Sequence, residues 1–173
     1  ESITEFYNSL KELSSDPQNT VVQSSVVNQA NAMINQFHTI GTFLNDIDKQ
    51  IHQEAQNLTE EINTLSSSVA RLNYRLQELD VTNIEAGNIR DSRDQQITEI
   101  AKLIGVTTQQ VDGGMTNVFV GGVPIVMGTK SMNLELSPVT DSLIGLAPAE
   151  TRNFQSDLRG GKLGGLMSIK NEQ

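Results

Sequence analysis

Residues 51–79 read IHQEAQNLTEEINTLSSSVARLNYRLQEL. Within them Ala55, Leu58, Ile62, Leu65, Val69, Leu72, Leu76 and Leu79 recur at alternating steps of three and four. The positions between are mainly Gln, Asn, Glu, Ser and Thr. Such spacing places one narrow apolar stripe along an α-helix. A stripe of this kind cannot bury itself, so the helix requires neighbours from its own chain or from other subunits.

Upstream the same stripe continues through Val22, Val26, Ala30, Met33, Phe37, Ile40, Leu44, Ile47 and Ile51. Doubled steps of four at Val22-Val26-Ala30 and Ile47-Ile51-Ala55 mark local slips against a strict heptad. No proline occurs between Val21 and Val123. The pattern therefore predicts one helix from about Pro17 to about Asp80, on the order of 95 Å long. Gly41 is the expected bend, because glycine is a weak helix former. Asp16-Pro17 suits an N-cap followed by a first helical residue. Before it, Ile3, Phe6, Tyr7, Leu10 and Leu13 predict a shorter amphipathic helix over Ser2–Ser14.

Downstream, Val81 to Gly87 reads as a loop. Asn88 to Ile104 returns to helix, with Ile89, Ile97, Ile100, Leu103 and Ile104 apolar and Gly105 placed to end it. Arg90-Asp91-Ser92-Arg93-Asp94 supplies alternating charge in its first turns. The period then changes. Val106–Val111, Met115–Val120, Val123–Met127 and Met132–Ser137 are short β-prone runs separated by Asp112-Gly113-Gly114, Gly121-Gly122 and Gly128-Thr129-Lys130. They predict an antiparallel sheet of three or four strands joined by glycine turns. Pro138 to Arg152 reads as irregular, and a last helix is expected from about Gly164. The expected fold class is α+β, mainly α: an elongated bundle of long helices with a small antiparallel β subdomain. The expected division is a helical part over 1–105, a β part over 106–137, an irregular return over 138–163 and a helix re-entering the bundle over 164–173.

Composition narrows the function. Lys and Arg number 12 against 21 Asp and Glu, a net charge of −9. That balance opposes binding to nucleic acid or to an anionic membrane surface. There is no cysteine, which removes disulfides, thiolate metal sites and thiol catalysis. Aromatic residues are only 4%, with no tryptophan, which suits a thin helical protein better than a thick globular core. No apolar run is long enough to span a bilayer. The chain begins Glu1-Ser2-Ile3-Thr4 and is expected to be an excerpt of a longer protein.

The candidate chemical signals are weak. In Gly160-Gly161-Lys162-Leu163-Gly164-Gly165-Leu166 the lysine is followed by Leu163, not Ser or Thr, and Asp157 stands where a phosphate-binding loop needs its first glycine. A tight chain reversal that permits close packing explains the glycines better. His38 and His52 are roughly 21 Å apart along one helix and cannot share a metal within one chain. Asp46, Asp48, Glu60 and Glu61 have no evident convergent partner. Asp112-Gly113-Gly114 lacks the remaining ligands of a calcium loop. The expectation is no catalytic, cofactor-binding or metal residue, and no cofactor.

The order of several motifs is more specific than any one of them. Residues 3–37, ITEFYNSLKELSSDPQNTVVQSSVVNQANAMINQF, open with a helix, a Pro break and a long second helix. Residues 70–126 carry RDSRDQ, LIGV, DGG and VFVGGVP in that order, and residues 158–173 are LRGGKLGGLMSIKNEQ. Together they resemble the flagellar hook–filament junction proteins, the first of the hook-associated families. Two features depart from that pattern: Gln23 stands near the position of a common arginine, and the RD helix is rich in isoleucine instead of leucine.

The resemblance implies a non-enzymatic structural subunit, here a central fragment without the terminal axial segments. It implies lateral packing with copies of itself in an axial ring, contact with hook protein and other hook-associated proteins, and an export chaperone. Nucleic acid and membrane are not expected partners. It places the protein outside the cell at the hook–filament junction, delivered by the flagellar type III route. It also makes Gly160, Gly161, Gly164 and Gly165 a return into the helical domain, with Leu163 and Leu166 packed on the long helix and Lys162 solvated. The alternatives are another flagellar axial subunit of hook or flagellin type, or a secreted coiled-coil effector or adhesin.

Overall fold

The computed structural model describes residues 2–79, 84–138, 144–149 and 158–171. In chain order the elements are α1 (Ser2–Ser15), α2 (Thr20–Glu78), α3 (Ile84–Leu103), β1 (Val106–Gln110), β2 (Thr116–Val120), β3 (Val123–Met127), β4 (Lys130–Ser131), β5 (Leu134–Pro138), β6 (Ile144–Pro148) and α4 (Gly161–Asn171). Contacts divide the chain into two units, Glu1–Gln50 and Ile51–Gln173.

The α+β, mainly helical class is borne out, and the long seam forms a single helix, α2, of 59 residues. Its start differs from expectation. Asn19, not Asp16, caps the helix: its side-chain oxygen accepts from the amides of Val21 at 3.0 Å and Val22 at 3.4 Å. Asp16 instead accepts from the Asn19 side-chain amide at 3.1 Å, inside the turn that separates α1 from α2. The helix runs through Gly41 without a break. Helix α3 begins at Ile84, so residues 84–87 are helical instead of loop; residues 80–83 lie outside the described set. The cause is packing, since Ala86 and Ile89 are buried together with Leu76.

In the second unit the α2 seam meets the rest of the fold. Ala55, Leu58, Ile62 and Val69 share one core with Ile100 and Leu103 of α3, Val118 and Val120 of β2, Ile125 and Val126 of β3, and Leu163 and Met167 of α4. Burying each Leu, Ile or Met side chain contributes about 1.5–3 kcal/mol. The β strands therefore belong to the helical core and do not form a separate one.

The first sheet is an antiparallel meander in the order β1-β2-β3-β4. Its β2–β3 turn sets Gly121 at φ 55° and Gly122 at φ 82°, the left-handed backbone that such a hairpin requires. The run Met132–Ser137 departs from expectation, because the short fourth strand is Lys130–Ser131 and the chain then leaves the sheet. Leu134–Pro138 pairs instead with Ile144–Pro148, a strand within the stretch expected to be irregular. Ala149 donates to the Asn133 carbonyl at 2.9 Å, which makes Leu134–Pro148 a non-hydrogen-bonded pair. Pro148 thus lacks its N–H at a position where the ladder does not use one.

Two asparagines of α2 direct these strands. The Asn63 side chain accepts from Leu134 N at 2.7 Å and donates to Leu134 O at 2.9 Å, imitating a neighbouring strand. Asn73, fully buried, accepts from Thr116 N at 3.2 Å and donates to Thr116 O at 2.9 Å and Gly128 O at 2.7 Å. It fills the splayed end of the β2–β3 hairpin. The Asn117 side-chain oxygen accepts from Gly128 N at 2.7 Å beside it. Arg93 completes the frame. It is 3% exposed, donates to the Gly114 carbonyl at 2.5 Å, and places Nε and Nη2 each 2.9 Å from Asp94 Oδ1. The RD segment therefore holds a turn of the β part and is not simply a solvated charge run.

The glycine-rich segment is a chain crossing. Gly160 at φ 86° and Gly161 at φ 66° swing the backbone into α4, which opens at Gly161 instead of Gly164. A Cβ on Gly161 would fall on the backbone of Leu103 and Ile104, and one on Gly105 would strike the Arg159 carbonyl. Glycine is needed on both sides of the crossing because two backbones touch. Leu163 is buried and Leu166 partly so, in the core that α4 shares with the α2 seam, while the α4 backbone runs close to α3 and β6.

Candidate interaction surface

The first unit consists of α1 and the opening stretch of α2, and its geometry follows from their lengths. Helix α1 has 14 residues and turns back along α2 through Asp16–Asn19. Opposite it, the seam is covered: Val22 is buried, and Val26, Ala30 and Met33 are half-buried. Ile3, near the start of α1, lines a small cavity with Gln36, Phe37 and Ile40. Beyond that level no partner from α1 remains within the unit. The same seam then emerges with Phe37 55%, Ile40 46% and Leu44 57% exposed, flanked by Ile34 and Phe43. At 100° per residue, Ile34, Phe37, Ile40 and Leu44 fall on one face about 120° wide.

Gly41 lies in this face. A Cβ there would meet no atom within 4 Å, and Gly41 lines a shallow groove with Ile34, Phe37, His38, Thr42 and Asn45. Glycine opens the groove where the sequence suggested a bend. On α1, Ile3, Tyr7 and Leu10 are exposed as well. Contiguous apolar exposure of this kind is a mark of an interaction site.

The other candidate residues do not converge. His38 lies in the groove, and His52 Nε2 is 3.2 Å from the Gln56 amide. Asp46 faces Lys49 at 3.8 Å in an exposed pair. Glu60 lines an open groove with Thr59, Asn63, Leu134, Glu135 and Ser137, which places Glu60 and Glu135 in one groove as sequence spacing could not reveal. Lys162 is exposed at the start of α4, and the strand that a phosphate loop would need over 153–157 lies outside the described residues. Among the described residues no group of three His, Asp or Glu side chains could hold a metal ion. No described helix is long and apolar enough to cross a membrane. Tyr74 donates to Glu78 at 2.7 Å; that hydrogen bond first, then the carboxylate's charge and slight desolvation, raises the phenol above its ordinary value.

Sequence reasoning did not single out Asn63 or Asn73, and it named Arg93 only within an alternating-charge segment. The available signal was faint: each asparagine directly follows a seam residue, Ile62 or Leu72, where a solvated flank is the simpler reading.

The comparisons agree with this architecture. The chain is 27% identical over 183 aligned residues to flagellar hook-associated protein 1 of Salmonella typhimurium, covering 99% of this chain and 33% of that protein. It is 26% identical over 180 residues to the protein of the same name from Escherichia coli, covering 97% and 32%. It thus spans about a third of the length of these relatives. The solved structure of the flagellar hook junction protein FlgK from Burkholderia pseudomallei superposes with a TM-score of 0.83 at 23% identity, over 97% of this chain and 32% of that one. That likeness establishes the fold. The model of the flagellar hook-associated protein FlgK helical domain matches residues 1–173, and the chain belongs to that family.

Proposed function

We propose that this chain is the helical portion of a non-enzymatic flagellar subunit that forms the junction between hook and filament. The observation that carries the reading is the open seam at Ile34, Phe37, Ile40 and Leu44. An apolar stripe continuous with a buried one, but only partly covered in its own unit, is suited to packing against a helix of another subunit. Burial of this stripe stabilises the assembly at about 25 cal/mol per Å². Repetition around an axial ring then multiplies contacts that are weak singly.

The wider reading follows from family membership. The subunit is exported through the flagellar type III route with a chaperone, lies outside the cell, and meets hook protein and other hook-associated proteins. It accommodates the mismatch between a flexible hook and a stiffer filament. The net charge of −9 suits neither nucleic acid nor an anionic membrane.

Gold-labelled antibody against the chain, viewed by electron microscopy on intact flagella, tests the location. A single band where hook meets filament is the expected result; label along the whole filament, or on the cell body alone, refutes the junction reading. Phe37→Asp tests the surface. It should leave the helical content of the isolated chain unchanged and abolish incorporation at the junction, since it places an unpaired charge in the contact. Normal incorporation of this variant would remove the seam from the interface.

A further inference from the structure

The two sheets present four strand edges, and three of them are blunted. β4 is only two residues long and carries Lys130. β5 has its Leu134 backbone taken by Asn63, with Glu135 exposed beside it. β6 is buried over residues 145–148, with α4 against it. These are the usual devices by which folded proteins prevent strand-to-strand association. β1 has none of them. It is five residues long, Val-Thr-Thr-Gln-Gln, with no charge, proline or glycine, and Thr107 to Gln110 are exposed.

The register shows what this edge offers. β1 pairs with β2 from Val106–Val120 to Gln110–Thr116 without a bulge, and Val111 donates to the Met115 carbonyl at 3.0 Å. Antiparallel alternation then turns the N–H and C=O of Val106, Thr108 and Gln110 outward. They have no hydrogen-bond partner among the described residues. Water satisfies such a row in the free chain, and another extended strand can replace it along the whole edge.

We propose that β1 pairs antiparallel with β1 of a second copy, about a two-fold axis through Thr108. The register is self-complementary: Thr108 faces Thr108 of the copy, and Val106 faces Gln110, in both directions. Thr–Thr is a favourable cross-strand pair. Charge does not oppose this contact locally. The chain carries −9, which opposes the approach of a second copy, yet β1, β2 and β3 contain no ionisable residue. The contact joins the two meanders into one continuous sheet. It is isologous, so it closes as a dimer and is not shared by subunits arranged side by side around a ring. It is therefore a property of free chains, independent of the seam contact proposed above.

Sedimentation velocity of the 173-residue chain between about 10 µM and about 1 mM reads the dimer directly. Thr108→Pro removes an outward N–H and no bond of the β1–β2 ladder, a substitution that edge strands tolerate. It should raise the dimer dissociation constant at least about tenfold with an unchanged circular dichroism spectrum. Thr108→Lys, which sets like charges across the axis, serves the same purpose should the proline variant not fold. Because the chain has no native cysteine, Thr108→Cys gives a clean cross-link: its Cα atoms would lie about 5.5 Å apart, within disulfide range, whereas Gln109→Cys would not face itself. Faster oxidative dimerisation of Thr108→Cys than of Gln109→Cys supports the register. A wild-type chain that stays monomeric at 1 mM overturns the proposal, as does undiminished dimerisation of both the proline and lysine variants. So does a dimer abolished by Phe37→Asp but not by the Thr108 variants, which would assign it to the helical seam.

Discussion

Replacing Asn73 by alanine is the sharpest test of how the β part is held to α2. The side chain is fully buried and makes three hydrogen bonds to backbone, two at Thr116 and one at Gly128. Each such bond contributes about 1 kcal/mol net, and a buried group left unpaired costs about 1–3 kcal/mol. Thr116 is itself only 4% exposed, so water cannot readily replace the lost partner. Alanine recovers about 0.5 kcal/mol through better helix propensity. The net loss should be about 2.5–4 kcal/mol in urea unfolding followed by circular dichroism. Amide exchange at Thr116 should accelerate more than exchange in α1, because the damage is local to the second unit. Asn73→Asp should be worse than alanine, since its carboxylate would face the carbonyls of Thr116 and Gly128. A loss below about 1 kcal/mol for alanine, with Thr116 still protected, would refute the view that the asparagine organises the hairpin.

Three further outcomes follow from local geometry. Gly161→Ala should destabilise by about 3 kcal/mol or more, because the residue is left-handed at φ 66° and its Cβ would meet the backbone of α3; Gly165→Ala, with no atom within 4 Å, should be neutral or stabilise by up to about 1 kcal/mol, and paired melting curves distinguish them. Ser66 is buried with no hydrogen-bond partner for its hydroxyl among the described residues, so Ser66→Ala should raise stability by about 1 kcal/mol, read as a rise of about 2–4 °C in Tm. Tyr74 should titrate above 10.0 when followed at 295 nm, moving down in Glu78→Gln; because the folded value is raised, its contribution to stability is present below the unfolded value and is lost as pH rises through the folded one.

What the sequence disclosed depended on whether a signal was periodic or relational. The α2 seam was legible over its whole length because its residues repeat, and repetition requires no knowledge of a partner. The hairpins of β1, β2 and β3 were legible because their glycines must take positive φ. The destination of Leu134–Pro138 was not. That strand leaves the first sheet because Asn63, 71 positions earlier in the chain, engages both backbone groups of Leu134. Asn73 was equally silent, since a polar residue beside a seam has the same local signature whether it is solvated or clamps a distant backbone. The start of α2 was misplaced by proline, whose preference for a first turn is weaker than the direct side-chain cap from Asn19.

The glycines separate these two kinds of information most clearly. Gly41 and Gly161 look alike in sequence, each a small residue in or beside a helix. Gly161 is required by a backbone crossing with Leu103 and Ile104, a relation between segments that no local window contains. Gly41 touches nothing, and what it contributes is an opening beside Phe37 in a stripe that its own unit leaves partly bare. The periodic signal that made the helix predictable therefore continues past the residues that α1 can cover. A stripe maintained where the fold does not use it requires a second surface to explain it, and that is the physical argument for reading the first unit as an assembly face.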